Sequence, residues 1–169
     1  MTNLIAQAAL LSQDVSHFVP HRAPMILIDR LLSHQVDTLI TEVSISDTSA
    51  YFNMALNGVP NYVGIEYMAQ SIAALAGVEA HLKNDKIRVG FLLGTRKLVM
   101  HQGHYERGKC YQIKVTRLYQ EETGLAVFDC QILAADADAD ADADAVIATA
   151  NVNVFQPQDT TAYIQENLT

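Results

Sequence analysis

The stretch Tyr62–His81, YVGIEYMAQSIAALAGVEAH, constrains the fold more than any other part of the chain: only Glu66 and Glu79 carry formal charge across its 20 residues. Its apolar residues fall on every side of a helical wheel, the pattern of a helix buried all round. Pro60 just ahead of it suits a helix start. Glu66, Gln70, Ser71 and Glu79 break the stretch too often for a membrane span, which takes ~18 uninterrupted apolar residues. A core helix is expected, and it needs a wrapper. Glu66 is the anomaly, because an ionised carboxylate one turn into such a helix costs several kcal/mol unless it is paired or protonated.

The wrapper is a set of strand-like runs. Met25–Leu32 (MILIDRLL) reads as a buried strand, and Thr38–Ile45 (TLITEVSI) alternates as a half-buried antiparallel strand does. The short link between them predicts a hairpin. After the helix come Arg88–Met100, Tyr111–Tyr119, Leu125–Ala134 and Val146–Phe155, the middle pair joined through Gly124 as a second hairpin. Leu4–Leu11 reads as a short surface helix, and Asp14–Pro20 as a turn or loop. The order strand, strand, long helix, four strands predicts an α+β fold with one antiparallel sheet. One sheet covers only one side of a helix that is apolar all round. Either the sheet curls around it or a second subunit covers the rest.

At 169 residues, half of them apolar, the chain suits a single domain, residues 1–169, with residues 1–20 as a lead-in. The net charge of −8 argues against nucleic acid or an anionic membrane as partner. Five of those charges are Asp136, Asp138, Asp140, Asp142 and Asp144 in the Asp-Ala repeat of residues 135–145, without which the balance is −3. The repeat lacks the turn glycine and closing glutamate of a calcium loop. A solvated hairpin tip that tolerates deletion is expected, and no metal site. Cys110 and Cys130 lie in strand-like runs without ligand spacing and read as reduced core thiols of a cytoplasmic protein. The N-terminal residues lack the basic region of a signal peptide.

Three segments in order, PHRAPMILIDRLL (Pro20–Leu32), PNYVGIEYMAQ (Pro60–Gln70) and GFLLGTRKL (Gly90–Leu98), resemble the 3-hydroxyacyl-ACP dehydratases of the hotdog fold. VGIEYMAQ is most similar to the ApeP-like branch associated with aryl polyene biosynthesis. The resemblance implies a curved antiparallel sheet wrapped around the long helix, usually dimeric with sites at the subunit interface. It implies a lyase of fatty-acid or polyene biosynthesis that removes water from an acyl chain on the phosphopantetheine of an acyl carrier protein, with no further cofactor.

That chemistry needs a base for the α-proton and an acid for the leaving hydroxyl. In the family these are a loop histidine from one subunit and a helix carboxylate from the other. Glu66, six residues after Pro60, matches the carboxylate. Burial would favour its proton-donating form. The histidine has no counterpart: none lies between His34 and His81, and near the lost position stand Asn53, Met54 and Asn57. Substitution by another histidine is the less attractive reading: His21, in the PHRAP motif, looks like scaffold in this family, and His101 and His104 read as solvated histidines in a connection. Asn61, Tyr62, Val63 and Gly64 at the helix start are expected to present backbone N–H groups to a thioester oxygen. Asn61 replaces a glycine common in the family. Tyr67 and Met68 are expected along an acyl tunnel or in the core, and Gln70 as a buried hydrogen-bonding group.

Three functions are left open. The chain is a dehydratase-type subunit giving Glu66 to a site completed by a His-bearing hotdog partner, in a homodimer or heterodimer. Alternatively it is a non-catalytic companion that stabilises such a partner or docks the carrier protein. The third option is a hotdog acyl thioesterase, whose helix carboxylate activates water directly. Arg88, Arg96, Lys97, Arg107 and Lys109 are the candidate basic patch for an acidic carrier protein.

Overall fold

A computed structural model describes residues 2–135 and 146–167. Along the chain they form α1 (Thr2–Leu11), β1 (Arg30–Gln35), β2 (Thr38–Ser44), β3 (Gly58–Pro60), α2 (Gly64–Leu82), β4 (Phe91–Met100), β5 (His104–Glu106), β6 (Cys110–Gln120), β7 (Leu125–Ala135), β8 (Val146–Phe155) and α3 (Thr160–Asn167). Single turns of 3-10 helix at Val15–His17 and Asn61–Val63 complete the elements. Six strands form one sheet in the order β1-β2-β6-β7-β8-β4, every pair antiparallel.

Alternation explains how the sheet meets the helix. Tyr111, Ile113 and Val115 of β6 and Ala126, Phe128, Cys130 and Ile132 of β7 are buried at every second position. This inward row packs on α2, which also touches β2 and β8. Tyr67, Met68, Ile72, Leu75 and Val78 fill the same core. Fully burying one such side chain stabilises by about 1.5–3 kcal/mol. The result is the long helix on one antiparallel sheet that the sequence predicts.

Residues 14–28, expected as a turn or loop to Pro20 and a strand from Met25, form a second layer over the helix. Val15, Phe18, Val19, Leu27 and Ile28 are all buried. Phe18 comes so close that a Cβ on Gly77 would lie 1.8 Å from its carbonyl oxygen, so only glycine permits the approach. The expected strand Met25–Leu32 begins only at Arg30. Residues 25–27 take their hydrogen bonds from a helix side chain instead: Leu27 N–H donates to Gln70 Oε1 at 2.8 Å, and Gln70 Nε2 donates to the Met25 carbonyl at 2.8 Å. The strand expected from Arg88 starts at Phe91.

The helix is also not enclosed all round. Ile65, Glu66, Ala69, Ala73, Ala76 and Ala80 form a half-buried stripe that neither layer covers. The pair β3–β5, three residues each, ties the start of α2 to the β4–β5 connection. The Asp-Ala repeat expected as a hairpin tip lies outside the described residues from Asp136 to Ala145. Among the described residues no helix is long and apolar enough to cross a membrane, and no cluster of side chains could hold a metal ion.

Candidate active site

Glu66 stands in the first turn of α2, on the uncovered stripe. The enclosed carboxylate expected from the sequence is therefore corrected to one at the rim of a groove, with its side chain 40% exposed. Gln70, one turn further and fully buried, donates from Nε2 to Glu66 Oε1 at 2.9 Å. The same amide group already bonds residues 25 and 27. Gln70 thus fixes the carboxylate and pins the lead-in to the helix with one side chain.

The lead-in brings a histidine to this carboxylate. His21 Nε2 lies 3.9 Å from Glu66 Oε1. Its loop is held by Arg22, whose Nη1 donates to the carbonyls of Ser16, Val19 and His21 at 3.3, 3.0 and 2.6 Å. The other ring nitrogen, Nδ1, is buried without a hydrogen-bond partner among the described residues. A histidine read from its motif as scaffold faces the one carboxylate on which function was expected to rest.

From this pair a groove of about 230 Å³ runs along α2. Ala69, Ala73 and Ala76 form its floor, and Phe91, Leu92 and Phe128 stand along its sides. From Glu66 to Ala76 the helix rises ~15 Å at about 1.5 Å per residue. The far end is polar, with Arg117, Gln120 and Gln156. Arg117 donates to both oxygens of Glu79 at 2.9 and 2.8 Å, and to Asp37 Oδ1 at 2.6 Å. Burial works against its charge, but those two carboxylates outweigh it and raise the guanidinium pKa above its ordinary value. The guanidinium also lies over the Phe128 ring, 5.5 Å from its centre.

The other expected site residues lie off this groove. Tyr67 and Met68 point into the core, 2% and 1% exposed, where burial raises the Tyr67 phenol pKa. Val63 and Gly64 are buried, and a Cβ on Gly64 would meet the Tyr105 hydroxyl at 1.9 Å. The Gly64 N–H is used within its own turn, on the carbonyls of Asn61 and Tyr62. Asn61 is tied to the β4–β5 connection, its N–H to Gly103 and its Nδ2 to Gln102. Tyr62 is exposed. In the loop expected to hold the family's histidine, Asn53 Oδ1 accepts from the N–H groups of Ala55 and Leu56. Of the five candidate docking cations, Arg88, Arg107 and Lys109 are paired with Asp85, Asp47 and Glu106.

Sequence reasoning ranked His21 as scaffold ahead of a stand-in base, and passed over the alanine floor and Arg117. Ala69, Ala73 and Ala76 are spaced to share one helix face, a legible sign of a stripe that lacks volume. The meeting of His21 with Glu66, 45 positions apart, has no such sign.

Comparison with known proteins agrees with this architecture. The chain is 27% identical over 95 residues to the 3-hydroxyacyl-(acyl-carrier-protein) dehydratase FabZ of Chlamydia trachomatis, covering 53% of this chain and 61% of that protein. It thus spans about three fifths of the length of the curated relatives it matches. Among solved structures, the dehydratase heterocomplex ApeI:P from Xenorhabdus doucetiae superposes with a TM-score of 0.80 at 25% identity, covering 91% of this chain and 97% of that one. The PaaI protein of E. coli shares the fold at 10% identity, with a TM-score of 0.58 over 92% of this chain and 99% of its own. The sheet and its long helix are those of the hotdog fold. With residues 13–165 matching the ApeP-like family, described as ApeP dehydratase, the chain belongs to that family.

Proposed function

We propose that this chain is a dehydratase-type subunit acting on a 3-hydroxyacyl chain held as a thioester on the phosphopantetheine of an acyl carrier protein. Glu66 delivers the proton with which the hydroxyl leaves as water. The observation that carries this reading is the placement of one carboxylate, oriented by Gln70, at the end of a long alanine-floored groove. An acyl chain along the alanines puts its reacting carbons at the Glu66 end of the groove.

A second hotdog subunit closes the site in this reading. The groove is flanked by β4, the last strand of the sheet, whose Leu92 and Leu93 are 44% and 58% exposed. The likeness to ApeI:P, a heterocomplex by its description, supports a partner of the same fold. A cytoplasmic setting fits the two unpaired thiols, Cys110 and Cys130.

The test is dehydration of a 3-hydroxyacyl carrier-protein thioester by the chain alone and in complex with hotdog partners, each with wild type and Glu66→Gln. The assembled wild type should form the enoyl product, and Glu66→Gln should slow it about 10²–10⁴-fold, the usual contribution of a positioned acid. Indifference of the complex to Glu66→Gln would make the chain a companion subunit. Release of free thiol without enoyl product would make it a thioesterase.

A further inference from the structure

We infer that His21 is the second catalytic residue, the base that removes the α-proton, so that this chain carries acid and base together. The inference rests on the dehydratase reading of the same groove. Three observations lead to it. His21 and Glu66 border one cavity from two different elements, with Nε2 and Oε1 3.9 Å apart. Two independent devices hold this approach: Arg22 clamps the loop onto three of its own carbonyls, and Gln70 bonds both the lead-in and Glu66. Finally, the ring has no scaffold bond. Nδ1 of His21 is buried with no partner among the described residues, so no hydrogen bond through that nitrogen accounts for the ring's placement. Imidazole is also the side chain whose ordinary proton exchange falls nearest neutral pH.

The step closes on itself. His21 Nε2 takes the proton from the carbon next to the thioester, and the C–H electron pair becomes the new carbon–carbon double bond. The C–O bond at the next carbon breaks, and its electron pair leaves on the hydroxyl, which takes the Glu66 proton and departs as water. His21 is left protonated and Glu66 ionised. Transfer of that proton from imidazolium to the neighbouring carboxylate restores both groups.

Acid and base are separable by experiment. In the assembled protein in heavy water, exchange of the α-proton of a saturated acyl carrier-protein thioester needs the base but no leaving group. Wild type and Glu66→Gln should both exchange it, while His21→Gln should lose exchange and dehydration together, each about 10²–10⁴-fold. Added imidazole should restore part of both rates to His21→Ala, a rescue that a purely structural histidine does not show. Retained exchange in His21→Gln, or its loss only when a partner's histidine is replaced, would overturn the assignment and leave the dehydratase reading standing. A wild-type complex that exchanges but never dehydrates would instead overturn the dehydratase reading.

Discussion

The two carboxylates of α2 are treated in opposite ways: Glu66 borders the groove, and Glu79 is held by Arg117, which lines the groove's far end. Glu79 is saturated: both oxygens accept from Arg117, which also holds Asp37. Glu66 receives one bond from a neutral amide and faces a histidine 3.9 Å away. The first arrangement immobilises a charge, and the second holds its carboxylate through one oxygen only. On an apolar helix a carboxylate with all its partners belongs to the structure, and one with partners missing is available for chemistry.

Substitutions can break or sharpen this contrast. The largest effect is expected at Glu66: Glu66→Gln should cost about 10²–10⁴ in dehydration rate while urea unfolding of the protein stays unchanged. Gln70 serves both the fold and the site, so Gln70→Leu should lose both. Stripping the buried Leu27 N–H of its acceptor costs about 1–3 kcal/mol in urea unfolding, and turnover falls with it. Glu79→Gln should show the reverse of Glu66→Gln. Asp37 still pairs Arg117 and the network is partly solvated, so a stability loss of about 1–2 kcal/mol is expected, with the dehydration rate little moved. The smallest effect is at the floor, where Ala73→Leu should raise KM for long acyl chains and spare short ones. Each methylene displaced from the groove is worth ~0.8 kcal/mol, about fourfold in affinity. Equal losses for Glu66→Gln and Glu79→Gln in either measurement would erase the distinction.

The long helix and strands β2, β6, β7 and β8 were legible because their apolar periods extend over seven residues or more. Met25–Asp29 has the composition of a strand, but the Met25 carbonyl and the Leu27 N–H go to the amide of Gln70, a tertiary partner no local pattern shows. The strands β3 and β5 are too short to carry a period. At the site, Glu66 was visible as a charge out of place. The alanines were read as more apolar wheel, since composition registers what a side chain repels and not the room it leaves. His21 was hidden by its motif, which explains it as scaffold until its ring is seen against Glu66.

One feature of β4 bears on self-association of the chain. An outer strand rich in leucine and valine is a template on which further strands stack, the beginning of a fibre. The pairing of β4 with β8 slips twice, between Leu92 and Gly94 and between Arg96 and Val99, and Lys97 sits between the latter two at φ 51°. A growing stack needs one flat, repeating register, and β4 offers it for only a few residues at a time. The apolar rim is thereby kept from serving as a long, continuous template for amyloid.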